Sequence, residues 1–359
     1  MSRFPLLSPV STLPRPFDAA RADAVVADLL AAGRKVGGSL DSFLDTFIAE
    51  PDALGLVRSL AGNSPFLAQA MLRDPEILFL AADNGLESTF ADILAAVEGA
   101  WRGLPATPAL MKTLRDARGR AAVVAAIGDV TGLWPLAAVT GALSDFADAA
   151  VSATVRHQLA ATAAPDIDAP AAASGYVVLA MGKLGSRELN YSSDIDLIVL
   201  FDRARAAAAG IEDPSATFVR ATREVVRILQ ERTGDGFVFR TDLRLRPDSG
   251  ATPLAISTEA AETYYESVGQ NWERAAMIKA RPVAGDLAAG QSFLDSLTPF
   301  LWRKHLDFAA IDDIHSIKRQ IHAHKGHGTI QVAGHNIKLG AGGIREIEFF
   351  AQTQQLIAG

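Results

Sequence analysis

The run DIDLIVLF, Asp194 to Phe201, constrains the fold more than any other stretch of the chain. A short, wholly apolar segment of β-branched and aliphatic residues reads as a buried strand. Aspartates one residue apart stand at its mouth. Side chains alternate along a strand, so Asp194 and Asp196 point one way, about 7 Å apart along the backbone, and Ile195, Leu197 and Val199 point the other. Two carboxylates left ionised and unpaired beside a buried strand are costly, and a divalent cation or an arginine removes that cost. Oxygen ligands are what magnesium prefers, so the pair forms a candidate metal edge. For an isolated Asp-x-Asp the competing reading is a turn in which Ser192, Ser193 and Asp194 cap the strand.

The neighbouring sequence favours the metal edge. In the haloacid-dehalogenase type of phosphatase the apolar strand precedes Asp-x-Asp, whereas here LIVLF follows it, which disfavours that chemistry. Upstream, VVLAMGKLGS reads as a second strand leaving through a Gly-Ser turn. Gly185 and Ser186 there expose amides and a hydroxyl suited to phosphate oxygens. The residues between Ser186 and Asp194 have room for a short helical connection that returns the chain beside the turn. Downstream, GFVFRTDLRLRP reads as a third strand. Alternation places Val238, Arg240, Asp242, Arg244 and Arg246 on one face and Phe237, Phe239, Thr241, Leu243 and Leu245 on the other. If this strand lies beside DIDLIVLF, Asp242 becomes a third metal carboxylate and Arg244 and Arg246 stand where phosphates sit, offering bidentate forks. The competing reading is a solvated sheet face with Arg–Asp pairs.

These elements belong to a longer organisation. From about Phe17 to Leu159 the chain is rich in Ala and Leu at three- and four-residue spacing, which predicts helices. Asn63 or Ser64 before Pro65, and Thr107 before Pro108, are helix-start signals. The stretch ATAAPDIDAPAAASG, Ala161 to Gly175, interrupts the pattern and is the candidate linker. Strands then mix with helices, among them the amphipathic SATFVRATREVVRILQERT. Helices return after Thr258, through EAAETYYESVGQNWERAAMIKARPVAG and Ile311 to Lys325, and GGIREIEFFAQTQQLIAG closes the chain as a helix opened by glycines. The fold class expected is α+β: a helical N-terminal domain over 1–165, a mixed-sheet catalytic domain over 166–300 and the start of a C-terminal helical domain over 301–359.

The absence of cysteine excludes disulfides, thiolate catalysis and Cys-ligated zinc, and fits a reducing cytoplasm. The N-terminus lacks a continuous apolar core, and no later window is apolar over the ~20 residues of a membrane span, so neither a signal peptide nor a membrane partner is expected. The net charge of −7 argues against a general nucleic-acid surface, which gathers Lys and Arg around phosphates.

Three carboxylates on two strands with a Gly-Ser turn resemble the active site of the nucleotidyltransferase superfamily that contains polymerase β. Four blocks make the resemblance closer: GKLGSRELNYSSDIDLI, FRTDLRLRP, NWERAAMIKARPVAGD and NIKLGAGGIREIEFFAQ occur in order between Gly182 and Gln352. Together they are similar to the glutamine synthetase adenylyltransferase/deadenylylating enzymes, in which two nucleotidyltransferase halves lie in tandem. ELNYSSDID resembles the adenylyl-removing half; the transferring half typically has a Thr-Ala segment and Ser-Asp-Leu-Asp. The chain stops within the helix after IREIEFF, so the expectation is a truncated chain bearing one catalytic half. The resemblance implies magnesium held by Asp194, Asp196 and Asp242, nucleotide or phosphate contacts from Lys183, Gly185, Ser186, Arg244, Arg246 and Arg274, and cytoplasmic action. It implies glutamine synthetase as protein substrate, adenine nucleotide and inorganic phosphate as small partners, and control by a nitrogen-signalling protein.

Other features carry less. Trp272, Glu273 and Arg274, with Lys279 and Arg281, lie in a helix-to-turn segment in which Arg274 and Arg281, seven apart, share one face; the resemblance implies that the block flanks the nucleotide pocket, and a packed Trp and a structural ion pair read equally well. His315, His322, His324, His327 and His335 lack an acidic partner at metal-ligand spacing and read as a solvated helix end and loop. LGAGG, Leu339 to Gly343, either cradles an anion or opens a helix. Two alternatives to the adenylyl-removing reading are a nucleic-acid nucleotidyltransferase, which needs a basic track, and a catalytically silent module of the same fold.

Overall fold

A computed structural model describes residues 4–7, 12–162, 171–302, 334–338 and 340–358. The chain divides into two compact units. Unit 1 comprises residues 1–161 with two returning segments, Arg187–Asp194 and Glu224–Thr241; unit 2 comprises Thr162–Ser186, Ile195–Arg223 and Asp242–Gly359.

Unit 1 is helical: α1 (Ala19–Val36), α2 (Gly38–Ala49), α3 (Pro51–Asn63), α4 (Pro65–Arg73), α5 (Glu76–Asp83), α6 (Leu86–Gly99), α7 (Thr107–Thr131) and α8 (Leu136–Thr162). Its starts follow side-chain chemistry. Asp18 accepts the amide of Arg21 ahead of α1, and Ser64 accepts that of Leu67 ahead of α4, with Pro65 in the first turn where no amide bond is needed. For α7 the cap falls on Ala106 rather than Thr107, which is the first helical residue. α7 packs on α3, α4, α5 and α6: its Leu110, Leu114, Val123, Val124 and Ile127 are all buried, as are Leu56, Met71, Ile77 and Ile93 of those helices. In contrast to the expectation from sequence, Leu136–Ala161 is long and apolar enough to cross a membrane by length and composition alone. Half of that window is buried, and the hydroxyls of Ser144 and Thr154 are satisfied four residues back at the carbonyls of Thr140 and Ala150. α8 is thereby accounted for as a core helix of unit 1.

Unit 2 is built on a mixed sheet of β1 (Tyr176–Met181), β2 (Ile195–Phe201), β3 (Thr241–Asp242), β4 (Ala255–Ser257) and β5 (Arg281–Gly285). The order is β3-β2-β1-β5, with β4 parallel to β2. β1 and β2 are antiparallel in unbroken register from Tyr176↔Phe201 to Met181↔Asp196. Both strands are apolar on both faces because both faces are covered. Val177, Leu179, Met181, Ile198 and Leu200 pack with Tyr265, Met277 and Phe293 from α12 (Thr258–Ser267), α13 (Asn271–Met277) and α14 (Leu287–Ser296), and with Leu297 just after it. On the other face Tyr176 and Phe201 meet Phe218, and the Tyr176 hydroxyl bonds Thr222 at 2.9 Å, all from the first half of α11 (Pro214–Gln230).

Short helices fill the connections: α9 (Gly182–Gly185), α10 (Arg203–Ala208) and α15 (Thr298–Leu301). The last described helix, α16 (Ile344–Ala358), begins after Gly342 and Gly343, as the glycines in the sequence predict. The expected helix from Ile311 to Lys325, and all of the histidine-rich segment except His335, lie outside the described residues.

Candidate active site

The sheet delivers Asp196 and Asp242 to neighbouring strands. Asp196 is the second residue of β2, half-buried, opposite Met181 at the end of β1. By parity it shares the face of Ile198 and Leu200. The chain leaves β1 at Gly182, with φ +54°, and a Cβ there would lie 2.7 Å from Asp196 Oδ2. The Asp196 carboxylate therefore rests on bare backbone that only glycine leaves open.

Gly182 also opens α9, so the Gly-Ser turn of the sequence is one turn of helix. Lys183 is its second residue and half-buried. Gly185 is fully enclosed, because a Cβ there would meet the Lys279 carbonyl oxygen at 1.9 Å and that of Ala180 at 2.8 Å. Ser186 donates its amide to the Gly182 carbonyl at 3.2 Å and its hydroxyl to the same oxygen at 3.1 Å. The open carbonyls of Leu184 and Gly185 are taken by the Arg281 guanidinium, at 3.0 and 3.1 Å. Arg281 belongs to β5 and Arg274 to α13, which ends at Met277, so the two do not share a helix face. Arg274 is buried with its guanidinium 5.2 Å from the Phe300 ring centroid, while Trp272 is exposed. Glu273, beside it, closes a capping box with Gln270, and burial raises its carboxyl above the ordinary range.

The third expected strand is corrected by the structure. β3 is only Thr241–Asp242, and Val238 and Phe239 are both buried despite opposite parity. The cause is local: the Asp242 carboxylate accepts the backbone amide of Arg244 at 2.8 Å, a bond to residue i+2 that turns the chain out of the strand. The Arg244 side chain then folds back, placing Nε 2.9 Å from Oδ2, and these bonds hold the Asp242 carboxyl below the usual carboxylate range. Arg246 bridges the same loop, donating to the carbonyls of Leu243, Ser249, Thr252 and Pro253. Its guanidinium is thus committed to loop geometry.

Asp194 is exposed at the end of the segment Arg187–Asp194, which is loop rather than the short helix expected. That loop is anchored in unit 1. Arg187 pairs with Asp145 at 2.6 Å, the Leu189 amide reaches Ser144 Oγ at 3.3 Å, and the Tyr191 hydroxyl donates to Asp129 at 3.1 Å. Arg240 bonds the Asp194 carboxylate and donates to the Ser192 carbonyl at 2.9 Å. It comes from the other returning segment, which is held just as firmly. Buried Arg115 of α7 donates to the carbonyls of Ile228, Glu231 and Gly236, and Arg73 to those of Gly234 and Asp235. These arginine clamps were not legible in the sequence, because their partners are backbone carbonyls.

Whether the carboxylates suit magnesium is a question of donor chemistry. All the donors are carboxylate oxygens, the Asp196 carboxylate lies over the space a Gly182 Cβ would fill, and Asp194 and Asp242 carry arginines that neutralise them. The set fits a hard divalent cation in kind. Among the described residues, however, no group of three His, Cys, Asp or Glu side chains converges on one point.

A family model described as glutamate-ammonia ligase adenylyltransferase matches residues 54–296, well over half of the chain. The chain belongs to this family. A second model, PII-uridylyltransferase, matches residues 315–359. Among curated relatives, the bifunctional glutamine synthetase adenylyltransferase/adenylyl-removing enzyme of Rhizobium meliloti is 53% identical over 95% of this chain and 34% of its own length. The one from Mesorhizobium japonicum is 52% identical over 96% of the chain and 35% of its own length, and that of Rhodopseudomonas palustris 49% over 87% and 32%. The chain thus spans about a third of the length of the curated relatives it matches. Within this family chain, the DIDLI block runs into β2, the FRTDLR block contains the two residues of β3, and the Lys-Ala-Arg-Pro block carries the Lys279 carbonyl and Arg281 side chain that fix α9.

Proposed function

We propose that this chain removes AMP from the adenylyl-tyrosine of glutamine synthetase by magnesium-dependent phosphorolysis, releasing ADP. The observation that carries the reading is the segment ELNYSSDID running into β2, in a family whose curated members are named for both adenylyl transfer and adenylyl removal. In phosphorolysis an oxygen of inorganic phosphate attacks the adenylyl phosphorus, the bond to the tyrosine oxygen breaks, and that oxygen takes a proton as ADP departs.

Asp194, Asp196 and Asp242 are the residues proposed to hold magnesium. Bound there, it supplies charge neutralisation for the crowded phosphoryl oxygens. The remaining work falls to the chain's own groups. The bond from Arg244 keeps Asp242 ionised far below neutral pH, so the carboxylate is ready as a ligand without a prior deprotonation. The Arg244 guanidinium, folded onto Asp242 yet largely exposed, is proposed to orient the incoming phosphate, which a neutral water would not require. α9, pinned by Arg281, presents Lys183 and Ser186 for the nucleotide, with Gly185 allowing the close packing on the Lys279 carbonyl that fixes them, while Arg246 acts as a positioning residue for the loop bearing Arg244. The PII-uridylyltransferase match over 315–359 supports a nitrogen-signalling protein as regulator.

Incubation of the chain with adenylylated glutamine synthetase, magnesium and phosphate tests this reading by the nucleotide released. ADP is expected; AMP formed at an undiminished rate in phosphate-free buffer would mean hydrolysis, and pyrophosphate released in a parallel incubation of the chain with ATP and unmodified glutamine synthetase would mean adenylylation.

A further inference from the structure

Unit 1 contains a cavity of about 480 Å³ that the proposed chemistry does not use. Its walls are one stripe of α7, from Arg118 through Ala122 and Ala126 to Val130, with Leu67, Leu143, Phe146 and Phe239 opposite. The volume falls within the ~300–1,000 Å³ typical of small-ligand sites. The lining is mostly apolar, and one cation faces into it.

That cation is unusual. The Arg118 guanidinium sits among three phenylalanines, 4.8 Å from the Phe66 ring centroid, 4.7 Å from Phe237 and 5.9 Å from Phe239. It donates to the Phe237 carbonyl at 2.8 Å and forms no salt bridge among the described residues. Burial, the larger cause, and the neighbouring cations Arg240 and Arg115 bring its pKa down to about 10. A cation in apolar surroundings with like-charged neighbours is stabilised by an anion. The other charged wall residue, Asp129, already accepts the Tyr191 hydroxyl and lies eleven residues, about three helical turns, further along α7.

We propose that this cavity binds a small amphipathic monoanion, with an aromatic or branched apolar body in the α7 groove and its carboxylate, phosphate or sulfonate on Arg118. The occupant reaches the segments that carry Asp194. Tyr191, Ser192, Phe237 and Phe239 line the cavity, and Arg240, next in the chain, bonds both the Ser192 carbonyl and the Asp194 carboxylate. A bound anion therefore braces the segment before Asp194 from within unit 1.

The test needs no turnover, so it stands apart from the proposed reaction. The chain is titrated with 1-naphthoate and with neutral 1-naphthamide, followed by calorimetry. Naphthoate is expected to bind at least about tenfold more tightly, as a charge-assisted bond is roughly twice as strong as a neutral one. Arg118→Gln should abolish that preference while leaving naphthamide affinity unchanged, which also reports an intact cavity. Arg118→Lys should keep the preference, and Ala126→Leu should weaken both ligands. Hydrogen exchange should slow at 189–194 and 237–241 when naphthoate binds. Equal affinity for the two probes, a preference that survives Arg118→Gln, or no binding by either at about 1 mM overturns the proposal.

Discussion

Replacing Arg115 by Met should destabilise unit 1 by an amount that its hydrogen bonds set. The last carbonyls of a helix lack intrahelical partners. At the end of α11 the Arg227 carbonyl takes the Glu231 amide and that of Leu229 takes the amides of Val238 and Phe239. The carbonyls of Ile228 and Glu231 take the Arg115 guanidinium, in a side chain only 4% exposed. The Gly236 carbonyl also loses Arg115 but keeps the Thr233 amide at 2.9 Å, and the Met111 carbonyl lies within α7. Two acceptors are left without this donor. The Ile228 carbonyl is buried and costs about 1–3 kcal/mol unpaired, while the part-buried Glu231 carbonyl, within reach of water, adds about 0–1, so the loss is about 1–4 kcal/mol, a large part of the ~5–15 kcal/mol that holds a domain folded. Urea unfolding of the wild type, Arg115→Met and Arg115→Lys measures it, with Lys intermediate because one ammonium cannot reproduce the fork. Amide exchange should accelerate from Thr233 to Thr241. A shift below about 0.5 kcal/mol with unchanged exchange there would refute the reasoning.

Asp196→Asn should lower turnover by about 10² or more with the fold retained, since it removes a charged ligand without changing shape; unfolding curves and steady-state rates separate the two effects. Gly185→Ala should cost at least about 2 kcal/mol, because a Cβ 1.9 Å from the Lys279 carbonyl must drive backbone from backbone; an unchanged thermal midpoint contradicts that packing. For Asp242 the folded pKa lies below the unfolded value, so its stabilisation is fully present above the ordinary carboxylate range and is lost only as pH falls through the lowered value. The penalty of Asp242→Asn should accordingly be constant from about pH 5 to 8 and vanish in acid, and Arg244→Ala should raise the Asp242 pKa in a carbon-13 titration.

Legibility in the sequence followed the range of the interaction that decides each element. DIDLIVLF became β2 because an apolar run needs only burial, and Ser64-Pro65 started α4 because capping is local. Closing glycines likewise opened α16. FRTDLRLRP failed as a strand although its alternation is clean: the Asp242 carboxylate reaches the amide two residues on, and strand periodicity does not register that competing turn. NWERAAMIKARPVAG split into α13 and strand β5, with Arg281 drawn to carbonyls of α9, 96 and 97 residues away in the chain. The loop before Asp194 was expected to curl into a helix, but Arg187, Leu189 and Tyr191 are anchored on α7 and α8 instead. The candidate aspartates were thus legible as residue types at a strand mouth, and Arg–Asp pairing around Asp242 was legible beside them, whereas Arg115, Arg73 and Arg281, whose partners are backbone carbonyls, were legible only in three dimensions.

The central proposal, that phosphate rather than water attacks the adenylyl group, is tested most directly by the fate of phosphorus-32. The chain is incubated with adenylylated glutamine synthetase, magnesium and labelled inorganic phosphate, and the nucleotides are separated. Label is expected in the β-phosphate of ADP, formed in step with loss of AMP from the protein and abolished in Asp196→Asn. Release of AMP with no label in any nucleotide would contradict it.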